Sequence, residues 1–453
     1  MATKIARTGT SSTNATKFTW SAWVKRANIG GAGVMYYNYL DGNNRGYLIF
    51  DSNDNIFYYD KDGGDEQANL TTTAKYKDCN AFYHICLIGD STDGTQGDRI
   101  QLYVNGVRQT MTGTYPDQND SLGTKVHTGT NYHAIGTNAD STSNPFSGII
   151  SHVHYVDGID YPATTFGSTD ATTGEWKINT SPSITTSDYG NNGYFVLKDG
   201  NSVTDQSGNS HNFTVTAGTL TKTEDNPSNV FATGNPLIGI HSNGSVLIPH
   251  TYSNGNLTST SSGQQWRIHQ STLGASSGKY YAEFKWISDS NTRYVYIGIF
   301  SADDYAQKIS GYPYLSDMAH SYGYYDQNGQ VYTSGSGTAY GNSYSSGSII
   351  GVALDLDNNK LYFSKDGTWQ NSANPSSGTG GWSITADKTY MFGIQQYSAG
   401  SIVLSANYGN GYFQTTEITT NTGTGYQDAD GNGRFYYAVP TNFRCLSTKG
   451  LNQ

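Results

Sequence analysis

Two stretches of this 453-residue chain carry the residue types of a calcium loop. Asp355, Asp357 and Asn359 in GVALDLDNNKLYFSKDG have the Asp-x-Asp-x-Asn spacing of the first half of a helix–loop–helix site. Such a loop turns on a glycine at its sixth position, where this sequence has Lys360. The flanks alternate instead, with Val352, Leu354 and Leu356 on one side and Leu361 and Phe363 on the other, so a β-hairpin turning at Asn358-Asn359 is predicted. Asp428, Asp430 and Asn432 make a better half-loop, because Gly433 stands at the sixth position, but Val439 occupies the twelfth, where a carboxylate belongs. A Gly-rich turn is predicted there, with a weak surface calcium site as the alternative. His152 and His154, two apart in SHVHYV, are expected on one face of a strand. One such pair could ligate a metal, and three pairs about a threefold axis would make a six-nitrogen site. Zinc within one chain would need further ligands, and His127 and His133 are near in sequence.

Hydrolytic chemistry finds less support. A glycosidase needs two carboxyls flanking the scissile bond, and the five glutamates, Glu66, Glu175, Glu224, Glu283 and Glu417, lie far apart in sequence. Asp pairs meeting in space keep a glycan hydrolase as a lesser alternative to the expectation of no enzyme and no cofactor. Gly274-Ala275-Ser276-Ser277-Gly278 fits the Gly-x-Ser-x-Gly pattern but precedes a strand-like run, GKYYAEF, rather than a helix, so it reads as a turn. The stretch best suited to binding is 304–344, which holds nine tyrosines. Tyrosine offers a flat apolar face with a hydroxyl rim, suited to sugars and to protein interfaces. Tyr312, Tyr314, Tyr340 and Tyr344 sit beside Gly, Pro and Ser in loop contexts and are the predicted ligand residues, with Trp369 and Trp382 as second candidates.

The elements that must position these residues are strands. Segments of four to eight β-branched and aromatic residues recur between Gly, Asn, Asp and Ser turns, helical periodicity is nearly absent, and an all-β fold of two antiparallel sandwiches is predicted. Only 14 % of residues are charged, against roughly 25 % in typical domains, while 13 % are aromatic, enough to build cores. The formal net charge of −10 and the lack of a Lys/Arg stripe exclude a nucleic-acid partner. No apolar run approaches membrane-spanning length, and MATKIARTGT lacks the apolar core of a signal peptide. Three cysteines, Cys79, Cys86 and Cys445, make no disulfide framework and suggest synthesis in a reducing cytoplasm. An exposed-type surface made in a cytoplasm is satisfied by a virion component released by lysis.

Particular segments sharpen this reading. FTWSAWVKR, FYHICLIGD…DRIQLYVNGVRQ and FSGIISHVHYVDG resemble the laminin-G-like, concanavalin-type lectin sandwich, and GKYYAEFKW, YIGIF, IIGVALDLDNNKLYFSKDG and ANYGNGYF resemble a SPRY domain. The stretch from YVDGIDYPATTFGSTDATTGEWK through DNPSNVFATGNPL is similar to virion structural proteins, often called tail-fibre proteins, of marine and other environmental tailed bacteriophages. The expected organisation is a lectin-like sandwich at 1–180, a β-rich connector at 181–238, a SPRY-like sandwich at 239–413 and an extension at 414–453. The resemblance implies a structural protein of the virion surface that contacts other virion proteins and binds host-surface glycan or protein. A homo-oligomer, with a trimer as one form, is expected. A capsid-decorating protein without a receptor role is the alternative.

Overall fold

The computed structural model describes residues 2–122, 132–198, 202–238, 240–242, 246–248, 250–263, 265–290, 293–307, 315, 318–419 and 425–452. The chain forms two compact units, Met1–Lys222 with Asn226–Ser228, and Thr223–Asp225 with Asn229–Gln453. Both are built almost wholly of antiparallel sheets, as the alternating sequence requires.

In the first unit an eight-stranded sheet runs, in spatial order, Met111–Thr114, Asp65–Thr72, Ile56–Asp62, Asn44–Phe50, Gly33–Asp41, Tyr132–Ile135, Lys4–Thr8 and Thr214–Ala217. A six-stranded sheet runs Tyr194–Val196, Gly148–Asp157, Lys17–Arg26, Tyr83–Asp90, Ile100–Val104 and Val107–Arg108. Trp20, Tyr36, Tyr58, Leu87, Leu102 and Tyr155 meet in the buried core. The central strand KFTWSAWVKR is buried at nine of its ten positions, so its second face must also be covered. Chain from 159 to 197 does this. Phe166 and Ala163 pack on Cys86 and Ile88, Trp176 donates its indole N–H to His84 Nδ1 at 3.0 Å, and Tyr189 and Phe195 cover Val156.

The 181–238 segment is therefore no separate connector. Tyr194–Val196 pairs with Val153–Tyr155, Val215 pairs with Ile5, and Phe213 lies in the core, so most of it completes the first sandwich. These two strands belong to different sheets, where each caps an open edge.

The second unit has a nine-stranded sheet centred on Ser401–Asn407, Lys279–Asp289, Ile349–Asp355 and Lys360–Lys365, and a six-stranded sheet centred on Tyr390–Ser398, Arg293–Ser301 and Tyr322–Tyr325. The opening hairpin is as predicted. Leu354 pairs with Leu361, and Asn359 takes φ +52° at the turn. The Asp355 carboxylate receives Asn358 N–H at 3.0 Å and Lys279 Nζ at 2.9 Å, while Asp357 receives Gly278 N–H at 2.7 Å. Both carboxylates thus bond to groups that hold the turn in place.

All seven residues of Ile349–Asp355 are buried, so this sheet too is covered on its second face. The cover is the C-terminal segment, which is an integral layer rather than an extension. Phe435, Phe443 and Cys445 bury Tyr281, Ala353 and Tyr362, and Arg444–Cys445 pairs in parallel with Tyr280–Tyr281. The segment also meets the chain entering the unit. Ala232 N–H donates to Leu446 O at 2.9 Å, Thr448 N–H to Val230 O at 2.9 Å and Lys449 N–H to Asn229 Oδ1 at 3.1 Å.

One carboxylate clasps this layer. Glu283, fully buried, accepts the backbone N–H groups of Tyr436 and Tyr437, each at 2.8 Å, together with Asn407 Nδ2 and the Tyr281 hydroxyl, each at 3.2 Å. Replacing Glu283 by Leu leaves two part-buried amides, Asn407 Nδ2 and the Tyr281 hydroxyl without this acceptor, and with about 1–3 kcal/mol lost per orphaned group a destabilisation of several kcal/mol is expected by urea unfolding. Burial pushes the Glu283 carboxyl up to about 7 from its usual 4.5. Between those values the folded unit keeps a proton that the unfolded chain has released, so rising pH removes stability across that window and no further. The expected readout is a Tm that falls from pH 5 to pH 8 relative to that of Glu283→Gln, measured side by side; parallel curves would contradict it.

Candidate functional site

The open cleft of the second unit lies where three loop regions meet, around Ala319–Tyr322, Thr333–Ser334 and Asn371–Ser383. It encloses about 510 Å³ and is lined by Tyr322, Thr333, Ser334, Asn371, Trp382 and Ser383, with Ala319 and Gly381. Local chemistry sets these loops. Ser334, Asn371 and Ser372 take left-handed φ values of +50°, +56° and +50°, which turn the chain sharply. At Gly381 a Cβ would lie 2.5 Å from the Tyr362 ring, so only glycine lets the loop settle on that ring.

Trp382 is half-buried. Its indole packs on the main core and meets the Tyr340 ring edge-on at 6.3 Å, leaving part of it at the cleft. Tyr322 is fixed by its hydroxyl, which receives Thr385 N–H at 3.0 Å, and Ser383 Oγ receives Lys360 Nζ at 2.9 Å. Among the described residues the lining holds hydroxyls, an amide and an indole but no carboxylate, imidazole or thiol. It is equipped to stack on a flat apolar group and to hydrogen-bond around it, and it contains no acid–base pair.

The predicted residues distribute unevenly. Trp382 is at the cleft. Trp369 is half-buried on the other side of its sheet, edge-on to Tyr281 at 6.3 Å and against the C-terminal layer. Tyr340 and Tyr344 are core residues, which corrects their assignment to a ligand edge. Tyr340 packs edge-on against Phe363 at 5.6 Å, and the Tyr344 hydroxyl lies 2.8 Å from Tyr324 O and 3.2 Å from Val295 O, so both rings and hydroxyls are used inside the fold. Tyr312 and Tyr314 lie outside the described residues.

The metal candidates are likewise committed elsewhere. Asp428 Oδ1 accepts the N–H groups of Asp430 at 3.0 Å and Asn432 at 2.8 Å, and Oδ2 accepts Cys445 N–H at 3.0 Å. Asp430 pairs with Arg444 Nε at 2.6 Å. Asp428, Asp430 and Asn432 thus form the predicted turn, which ties the C-terminal layer together. His152 and His154 are both buried, which removes them from any site shared among copies. A β-bulge falls between Ser151 and His154, and His152 sits in it at φ +50° with Nδ1 2.7 Å from Ser151 Oγ. His154 stacks on Phe195 at 3.8 Å and bonds the Tyr189 hydroxyl at 2.8 Å, and burial holds its pKa well below the usual imidazole value. His133 is in the core, and His127 is outside the described residues. Among the described residues no three His, Cys, Asp or Glu side chains are grouped to hold a metal.

Sequence reasoning missed a second aromatic surface in this unit. On the outer face of the six-stranded sheet, Trp266, Tyr397 and Tyr294 stand in register across three strands, with centroids 5.4 and 5.8 Å apart, and Tyr325 continues the group 6.4 Å from Tyr294. The signal lay in the alternation of RYVYIGIF, where Tyr294 and Tyr296 share the face opposite Val295 and Ile297.

Comparison with known proteins agrees with the two sandwiches. Residues 2–164 match the Concanavalin A-like lectin/glucanases superfamily and residues 279–376 match the SPRY domain, so the chain contains one domain of each kind. Ran-binding protein 9 of Danio rerio is 33 % identical over 94 residues, which cover 20 % of this chain and 15 % of that protein. Ran-binding protein 9 of Homo sapiens is 32 % identical over 94 residues, covering 20 % and 12 %. The chain therefore spans only a small part of the curated relatives it matches. Among solved structures, the SPRY domain of human HERC1 aligns over 38 % of this chain and 96 % of its own at 15 % identity and a TM-score of 0.28. A heptameric SAP-like pentraxin from Limulus polyphemus aligns over 39 % and 86 % at 12 % identity and a TM-score of 0.29.

The core assignment of Tyr344 has a direct test. Tyr344→Phe removes one buried hydroxyl from two carbonyls and is expected to cost about 1–2 kcal/mol of stability. It is expected to leave any surface binding unchanged, measured by thermal melting beside a binding assay.

Proposed function

We propose that this protein is a non-enzymatic binding component of the surface of a tailed-phage virion. On this reading its SPRY-type cleft contacts a host-surface protein or glycan, and other surfaces join it to virion proteins or to further copies of itself. The observation that carries the binding role is the cleft around Trp382: an indole flanked by hydroxyls and an amide, with no charged side chain among the described residues of its lining. Such a site gains affinity by stacking and hydrogen bonding rather than by charge, and weak single contacts become firm when many copies act together. The virion assignment is supported by the resemblance of the stretch from YVDGIDYPATTFGS to DNPSNVFATGNPL to phage structural proteins, and by the low charge and high Tyr, Gly and Asn content.

The test is adsorption. Purified protein added to host cells is expected to slow attachment of the phage that carries it, and Trp382→Ala is expected to weaken this competition at least tenfold while the protein still melts cooperatively. Full adsorption at saturating protein would sink the receptor role. Finding the chain only on capsid capsomers by whole-particle cryo-EM would favour a decoration protein instead.

A further inference from the structure

At one end of the second unit both sheets finish in strands whose inward side chains are polar. The nine-stranded sheet ends in Thr251–Ser253 and Thr258–Ser262, and the six-stranded sheet ends in Gln265–Gln270. Register shows what these strands turn inward. Ser259 pairs with Leu404, Ser261 with Ile402 and His269 with Ile394, and all three partners belong to the main core. Residues paired directly across antiparallel strands share a face. Two hydroxyls and an imidazole therefore stand where the next strands inward place aliphatic side chains. Gln396, two residues beyond Ile394 on the same face, adds an amide.

His250 closes this corner. It is buried between the backbones of Thr260 on one outer strand and Arg267 on the other, and its Nδ1 lies 3.3 Å from Gln396 Nε2. Its ring meets that of His269 edge-on at 6.2 Å, and Tyr252 packs against the two rings at 5.7 and 5.4 Å. His269, fully buried, bonds the Tyr408 hydroxyl through Nε2 at 2.9 Å. Ser259 Oγ, Ser261 Oγ, His269 Nδ1 and Gln396 Oε1 are buried without a hydrogen-bond partner among the described residues. Outer strands with little apolar burial and unmet polar groups open at low cost.

Charge decides what opens them. The titratable groups facing the two imidazoles are each other, Tyr252, Tyr408 and Arg267, whose positive charge bears on His250. No carboxylate is among these described groups, and the sequence offers none nearby. Asp and Glu are absent from Asn226 to Ala282 and again from Lys388 to Thr416, the stretches that supply every strand at this corner. An imidazolium here would be buried without a counter-charge. Burial accordingly holds His269 down at about 3, and His250 well below its usual 6.5. Once the corner opens to water, each ring takes up a proton at an ordinary pKa of about 6.5. Their contribution to keeping the corner shut is therefore complete above that pH and is lost progressively as the pH falls below it.

We infer that the His250–His269 pair is an acid-released latch: protonation frees Thr251–Ser253, Thr258–Ser262 and Gln265–Gln270 from the second unit while its central strands stay folded. Release uncovers the edges of Ser401–Asn407 and Tyr390–Ser398, whose backbone groups are then open to pairing with another chain. The centre is held by the main core and by Glu283, whose clasp is firmest at the acid end of its own window. The latch depends neither on the Trp382 cleft nor on the virion reading.

The experiment is hydrogen exchange of the full chain, read by mass spectrometry at pH 7.5, 6 and 5, with each rate corrected for its intrinsic pH dependence. Two histidines that take up protons only in the open form raise the opening equilibrium by a factor of about sixty between pH 6 and pH 5. Exchange across 251–270 is expected to quicken by that factor, while Lys279–Asp289 and Ile349–Asp355 keep their protection. The double variant His250→Gln/His269→Gln, polar but without a titrating ring, is expected to exchange at one corrected rate at all three pH values. Should it not fold, His250→Gln alone is expected to reduce the rise to about eightfold, the share of one histidine. Three results would each overturn the inference: corrected exchange in 251–270 that ignores pH, a rise that survives undiminished in these variants, or central strands that lose protection together with the outer ones.

Discussion

A β-sheet that is apolar on both faces must be covered twice, and this requirement organises both units. Lys17–Arg26 is buried at nine of ten positions and Ile349–Asp355 at all seven, yet the facing sheet of a sandwich can cover only one side. The second cover is recruited from chain that follows the sandwich strands, 159–197 in the first unit and the segment around Phe435–Cys445 in the second. Irregular chain can serve as such a layer only where its backbone polar groups find partners. Glu283 meets this condition for Tyr436 and Tyr437, and Asp428 does so for Cys445.

The opposite sheets of the two units are treated differently. Their outer faces carry in-register aromatic groups, Tyr37–Tyr47–Tyr59 in one and Trp266–Tyr397–Tyr294 in the other, with several of these side chains half-buried. Each unit thus has one doubly buried sheet that serves as scaffold and one whose outward side is built of aromatic rings. Beside these faces, the described lining of the cleft carries hydroxyls, an amide and an indole.

Most of the fold was legible in the sequence. Alternation placed the strands, and the Asn358-Asn359 turn was correctly a hairpin because β-periodicity on both flanks outweighs an acidic spacing. The sites were less legible, for physical reasons. Tyr340 and Tyr344 stand beside Gly and Ser, as loop residues do, but their hydroxyls are satisfied within the core, which neighbours in sequence do not reveal. The histidine pair was undone by a bulge at His152, an insertion that leaves no mark on the pattern. The aromatic rows depend on register between strands, so they became visible only when Tyr37, Tyr47 and Tyr59 were paired. Trp382, a second candidate because it closes the loop QNSANPSSGTGGW, lies at the cleft and also packs on the core.

The bonds joining residues 229–232 to 446–449 fix the order in which the second unit is made. Partners such as Val230 and Thr448 are 218 residues apart, so the contact closes a very long loop and gains nothing until the hairpins between them have shortened the path. During synthesis the hairpins emerge before the segment around Phe435–Cys445 that covers them. Tyr281, Ala353 and Tyr362 stay uncovered until then. The apolar sheet face of the second unit therefore passes through an interval of exposure in which neighbouring chains compete with the covering segment.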